Sequence, residues 1–205
     1  RLDDRFRLLT GGSRNALPRH QTLRALIDWS FDLLSETERM LFRRLSVFAG
    51  GWTLEAAEAI CAGNGIEPYD VMDLLSQLVN KSLVIPDNEE EPETRYRLLE
   101  TIRQYGREKL FEAKQASAAR DRHFIYFKKL SEGLWNMYRI QSEVEIERHK
   151  AIQVEMDNVR AAFEWGLQNN MADMLNLAVN MAISLSISVG QLEGIAMLKV
   201  ALEKF

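Results

Sequence analysis

The residues of this sequence that could do chemistry are few and scattered. His20, His123 and His149 are its only histidines and Cys61 its only cysteine. None of them stands at the short spacing by which a chain closes on a metal ion, so each histidine reads as a surface or helix-cap residue. Cys61, within Ala59-Ile60-Cys61-Ala62, reads as a small buried side chain rather than a nucleophile. One cysteine cannot make an intramolecular disulfide, which fits a reducing, cytoplasmic compartment. Lys81-Ser82 lacks the preceding glycines whose amides would cradle a phosphate. No Gly-x-Ser-x-Gly elbow occurs. Carboxylates are plentiful, but on amphipathic helices they form solvated faces. The expectation is a segment that is not an enzyme, with no metal and no cofactor of its own.

Composition agrees with a packed, soluble kind of protein. The chain has 205 residues, 46% of them hydrophobic and 27% charged, with a formal net charge of -4. That balance supplies a core and gives no general attraction to nucleic acid or anionic lipid. No apolar run is long enough to span a bilayer, because Asn180, Ser184, Ser186 and Ser188 interrupt the longest one. Leu2, Phe6 and Leu9 read as the last turns of a helix, and Phe205 falls inside another helical pattern. Both ends therefore read as cut from a longer protein.

The elements that must position these side chains follow from periodicity and punctuation. Thr10-Gly11-Gly12-Ser13 and Pro18 make a linker. Leu23, Leu26, Ile27 and Leu34, widened by Trp29 and Leu33, form the stripe of a first full helix. Ser35-Glu36-Thr37-Glu38 is a capping box for a helix carrying Leu41, Leu45 and Phe48, with Gly50-Gly51 ending it. Thr53 caps a short helix with Leu54, Ala57, Ile60 and Cys61. Pro68 opens another, where Val71, Leu74, Leu75, Leu78 and Val79 recur at helical spacing.

Ser82-Leu83-Val84-Ile85 and Arg95-Tyr96-Arg97-Leu98 read as two short strands around the acidic turn 87–93. A helix follows with Leu99, Ile102, Tyr105 and Leu110. Helices packed on one small β-hairpin describe a winged-helix module over about residues 21–115. Residues 116–205 read as helix throughout, an antiparallel array resembling a bundle or the start of a solenoid. Its stripes are Phe127, Leu130, Leu134 and Met137; Ile152, Met156, Val159 and Phe163; Leu175, Ala178, Ala182, Leu185 and Val189; and Ile195, Leu198, Leu202 and Phe205. The fold class expected is thus mainly α.

A winged helix that grips DNA needs cations near the phosphates. The recognition helix, 68–80, holds Asp70 and Asp73 and no cation before Lys81. The wing holds Asp87, Glu89, Glu90, Glu91 and Glu93. The arginines and lysines gather elsewhere, at Arg39, Arg43 and Arg44 and at Arg120, Arg122, Lys128 and Lys129, where they read as solvated faces. On charge alone, no direct DNA binding by this segment is expected.

Three blocks carry a family resemblance. They are residues 19–51, from Arg19-His20-Gln21-Thr22-Leu23 to Phe48-Ala49-Gly50-Gly51; Arg95-Tyr96-Arg97-Leu98-Leu99-Glu100-Thr101-Ile102-Arg103-Gln104-Tyr105; and Glu155-Met156-Asp157-Asn158-Val159-Arg160-Ala161-Ala162. Together they resemble bacterial signal-transducing ATPases of the STAND type, among them LuxR-type and antibiotic-regulator-type transcription factors. The opening residues 1–9 resemble the end of the helical part of an NB-ARC domain.

The resemblance implies a division into residues 1–20, the end of that helical region and a linker; 21–115, the winged helix; and 116–205, tetratricopeptide-like repeats. It implies a partner in an upstream nucleotide-binding domain of the same chain, with ADP or ATP bound in the parent protein, and a protein or small-molecule inducer at the repeats. By position, the family's Met-His-Asp nucleotide sensor falls on Leu98, Leu99 and Glu100, which makes these the implied cofactor-binding residues. Leu99, standing for the histidine, cannot donate a hydrogen bond. For Leu98 and Leu99 the preferred reading is core packing at a strand–helix junction. The function implied is a switch controlling nucleotide-dependent activation of a transcriptional regulator. Its rivals are a DNA-binding winged-helix regulator and a helical scaffold for protein partners.

Overall fold

A computed structural model describes residues 18–87, 94–138, 145–169, 171, 173–185 and 191–204. The expected stretches 1–17 and 88–93, and with them the acid-rich part of the wing, lie outside the described residues.

Local sequence rules account for most element boundaries. Helix α1 spans Pro18–Asp32 and α2 spans Glu36–Leu45. The capping box forms: the Ser35 side chain accepts from the Glu38 amide, and the Glu38 carboxylate accepts from the Ser35 amide at 2.6 Å. Each bond satisfies an amide that the helix itself leaves unpaired. Strand β1, Trp52–Thr53, leads into α3, Leu54–Cys61, which Thr53 caps through the Ala56 amide. A 3-10 turn at Pro68–Asp70 precedes α4, Val71–Asn80. Strands β2, Ile85–Asp87, and β3, Arg95–Arg97, then flank the wing. Helix α5 spans Glu100–Glu112.

The strands form one antiparallel sheet of order β1-β3-β2, with Trp52 opposite Tyr96 and Ile85 opposite Arg97. The expected hairpin is therefore one strand larger, and its first strand lies later than Ser82–Ile85. Helix α2 also stops at Leu45, before Gly50-Gly51; Ser46 and Val47 continue as a turn.

Four more helices follow: α6, Ala116–Tyr138; α7, Glu145–Gln168; α8, Met174–Leu185; and α9, Gln191–Lys204. The whole is mostly helical, a winged-helix module followed by a helical array, as the periodicity predicts. Helix α6 joins the two parts, packing against α3 and α5 on one side and α7 and α8 on the other.

The core bears out some stripes and shifts others. Leu41, Phe42, Leu45, Ile60, Val71, Leu75 and Leu78 are fully buried, and Met156, Val159 and Phe163 are buried in the array. On α1, however, only Ile27, Phe31 and Leu34 are buried; Leu23, Leu26 and Leu33 are exposed, and Trp29 is 65% exposed. On α8 and α9 the buried positions are Met174, Leu177, Ala178, Met181, Met197 and Ala201, with Ile195 and Leu202 outside. The last two stripes are displaced around the helix because Gly194 lets α9 approach α8 closely. A Cβ there would stand 2.8 Å from the Ala182 Cα, so only a residue without a side chain lets the two backbones meet at that point.

Candidate functional site

The outer face of the winged unit is built by α4. Val71, Leu75 and Leu78 turn inward, which leaves Met72, Asp73, Ser76, Gln77 and Asn80 exposed on the other side. Positions 73, 76, 77 and 80 follow helical spacing, so their side chains share one face. Lys81, at the helix C-terminus, lies 2.5 Å from Glu38. Arg97, on the strand that bounds the wing, is exposed and 3.8 Å from Asp87. This face offers amide, hydroxyl and carboxylate groups, with Lys81 at its C-terminal end already paired with Glu38.

Leu98, Leu99 and Glu100 separate in their roles. Leu98 is buried in the core, while Leu99 is 45% exposed at the N-cap of α5. Glu100 opens α5, where its charge suits the helix dipole, and its carboxylate accepts from Arg103 Nε at 3.0 Å. Arg103 in turn donates to Ala49 O at 2.9 Å and to Phe48 O.

The three sequence blocks meet behind the wing. Asn158, fully buried on α7, accepts from the amides of Ala49 and Gly50 and donates to Gly51 O at 2.8 Å. Its amide also donates to Glu155, whose carboxylate pairs with Arg95 Nη1 at 2.6 Å. Arg95 then returns to Gly51 O at 3.1 Å. The irregular backbone at 49–51 has no ladder to satisfy its polar groups; side chains from β3, α5 and α7 do so. Asn158 lies inside a block that reads as the entry to repeats, and nothing local in its spacing marks it as a clamp.

The arginines of α2 and α6 are not solvated faces. Arg44 is 2% exposed and donates to Cys61 O and Gly63 O, each at 2.6 Å. Arg122 donates to Ile60 O at 2.6 Å. Both guanidiniums meet carbonyls at the C-terminus of α3, where the helix leaves acceptors and partial negative charge. Burial, with Arg122 close by, lowers the Arg44 pKa.

Cys61 is buried, as its neighbours predict, and burial pushes its thiol up to about 12. His123 departs from expectation. It is 3% exposed, between Phe48 and Phe127. Burial pushes its pKa down to about 3 against the effect of Asn158, with Arg107 and Arg120 adding to the fall. The side chains of His20 and His149 lie outside the described residues. Among the described residues, no three histidines, cysteines or carboxylates cluster as metal ligands, and no helix is long and apolar enough to cross a membrane.

Residues 34–111 match the family model of the winged helix-turn-helix domain. The sheet order and the helix order agree with that match. Residues 34–111 are a winged helix-turn-helix domain.

The domain's relatives extend over most of the chain. A Mycobacterium tuberculosis (strain H37Rv) protein, "Putative HTH-type transcriptional regulator Rv0890c", is 46% identical over 179 residues, 86% of this chain and 20% of its own length. Its Mycobacterium bovis counterpart matches equally. An uncharacterized protein of Mycobacterium tuberculosis, Rv0894, is 42% identical over 129 residues, 62% of this chain and 33% of its own. The chain thus spans 20% of the length of the regulators it matches. No solved structure matches it at a significant level. The winged helix-turn-helix and the kinship to transcriptional regulators support a regulatory role.

These findings correct the expectation of no direct DNA binding. Both the domain family and the relatives named as HTH-type regulators point to DNA. The physical flaw lay in counting charge along one helix and one turn. Uncharged Ser76, Gln77 and Asn80 can bond base edges as well as phosphates, so a helix without cations is not thereby excluded from a groove.

Proposed function

We propose that this chain is the DNA-contacting and regulatory segment of a transcriptional regulator, with α4 entering the major groove. The observation that carries it is the exposed row Asp73, Ser76, Gln77 and Asn80 on the helix of a winged helix-turn-helix domain that precedes its wing. Glutamine and asparagine amides can pair bidentately with adenine, and a carboxylate can accept from the cytosine amino group. With few cations nearby, affinity rests on base contacts more than on counterion release, so it is modest and only weakly salt-dependent.

Fluorescence anisotropy with duplexes tiled across the promoter of the chain's own gene tests this. One duplex should bind in preference to the others, and Asn80→Ala should cost about 1–3 kcal/mol on it. Equal, purely salt-driven binding to every duplex, or none at all, would remove the reading.

A second reading has one observation in its favour. Tyr69 and Met72 are exposed beside an α4 that bears no lysine or arginine from Val71 to Asn80, a surface also suited to another protein domain. In that reading the segment is not itself catalytic. The module docks on a nucleotide-binding domain of the STAND, NB-ARC type in the parent protein, which holds ADP or ATP, and tetratricopeptide-like repeats in the array receive a protein or small-molecule inducer. Leu98, Leu99 and Glu100 then lie toward the nucleotide, with the exposed Leu99 making the contact apolar. In the parent, Leu99→His should slow ADP release. Unchanged ADP affinity with an intact fold would leave this junction a purely structural one.

A further inference from the structure

A cleft runs between the winged unit and the first two helices of the array. It consists of two adjacent lobes, of about 130 and 280 Å³, which share Val47, Arg107, Arg120 and Trp165 as walls. The smaller lobe adds His123, Glu164 and Gln168. The larger one adds Leu110, Phe111 and Ala116 and is mainly apolar. One end therefore carries two guanidiniums, one carboxylate and a neutral imidazole, and the other end carries hydrocarbon.

The polar end is held in place. Arg107 donates through Nε to Ser46 O at 3.0 Å. The Arg120 guanidinium lies 5.0 Å from the centre of the Trp165 ring, and that indole is oriented by its bond to Asp121 at 2.9 Å. Among the described residues Arg120 has no ion-pair partner. Nε2 of His123 is buried with no hydrogen-bond partner among the described residues.

We propose that this cleft binds a small organic carboxylate with a flat apolar body, its acid group between Arg107 and Arg120 beside His123 and its body against Leu110, Phe111 and Trp165. Guanidiniums recognise carboxylates through charge-assisted bonds, and the hydrocarbon lobe distinguishes such a guest from a bare inorganic anion. Val47 and Arg107 come from the winged unit and Arg120, His123 and Trp165 from α6 and α7, so the guest would brace the two parts against each other. The site stands apart from the α4 face and does not depend on DNA binding.

Calorimetric titration of the 205-residue chain with phenylacetate tests it, with acetate, 2-phenylethanol and inorganic phosphate as comparisons. Phenylacetate should bind and raise the melting temperature, at least about tenfold tighter than each of the others. Arg120→Gln should weaken it by about tenfold or more and Arg120→Lys by less, both with the ligand-free melting temperature kept. Trp165 emission should change on saturation, and that change should vanish in Trp165→Phe. The proposal is overturned if phenylacetate at about 10 mM neither binds nor shifts melting. It is equally overturned if the alcohol or phosphate binds as tightly, or if Arg120→Gln binds like the wild type.

Discussion

Asn158 on α7 accepts the backbone N–H of Ala49 at 2.9 Å, although 109 positions separate them. The same side chain serves Gly50, Gly51 and Glu155. One buried amide group thus completes the backbone of the turn that follows α2 and ties the winged unit to the array.

Removing that amide should cost more than any single surface change. Asn158→Ala leaves the part-buried amides of Ala49 and Gly50 without their acceptor and Gly51 O with Arg95 alone, a loss of about 2–4 kcal/mol in urea denaturation. Asn158→Asp keeps an acceptor for Ala49 but sets a second carboxylate beside Glu155 and Gly51 O. It should be no more stable than the alanine variant at neutral pH. Wild-type stability in either variant would show that the clamp contributes nothing.

His123 predicts a dependence of stability on pH. Its folded pKa is pushed down to about 3, below the ordinary value near 6.5. The unfolded chain therefore binds the proton more readily, so this group's contribution is complete above about pH 6.5 and declines as pH falls toward the folded value. Between about pH 7.5 and 5 the loss should be about 2 kcal/mol. His123→Phe, placed among Phe48 and Phe127, should flatten that part of the profile even where its absolute stability is lower. A variant retaining the wild-type slope would assign the effect to other groups.

Two glycines should respond in opposite directions to alanine. At Gly194 a Cβ meets the backbone of Ala182 at 2.8 Å and the Met181 carbonyl at 3.2 Å, neither of which can swing away. Gly194→Ala should therefore destabilise the pairing of α8 and α9 by about 1–3 kcal/mol. At Gly133 a Cβ meets nothing within 4 Å, so Gly133→Ala should gain up to about 1 kcal/mol of helix propensity. Thermal melts of the two variants beside the wild type give the comparison directly.

The buried arginine of α2 should tolerate no shorter replacement. Arg44→Ala strips Cys61 O and Gly63 O of their donor and empties a buried volume. It should lose about 3 kcal/mol or more. Arg44→Lys keeps the charge but cannot reach both carbonyls with a planar fork, so it should fall between the two. Equal stability of the lysine variant and the wild type would show that charge alone matters there.

Sequence alone determined what short-range chemistry decides. Ser35 with Glu38 and Thr53 with Ala56 are contacts over three positions, and the inward row of α4 repeats within one helix, so both were legible as text. Strand β1 was not, because two residues make a strand only when β3 lies beside them. The faces of α8 and α9 turned on a close approach at Gly194 that periodicity cannot see. Arg44, Arg122 and His123 look like solvent-facing residues until α3, α6 and the Phe48 turn assemble around them. The clamp role of Asn158 has no local signature, since the backbone groups it serves lie more than a hundred positions away. The tertiary structure alone decided which polar groups were buried, because the cost of leaving them unpaired arises only once packing has excluded water.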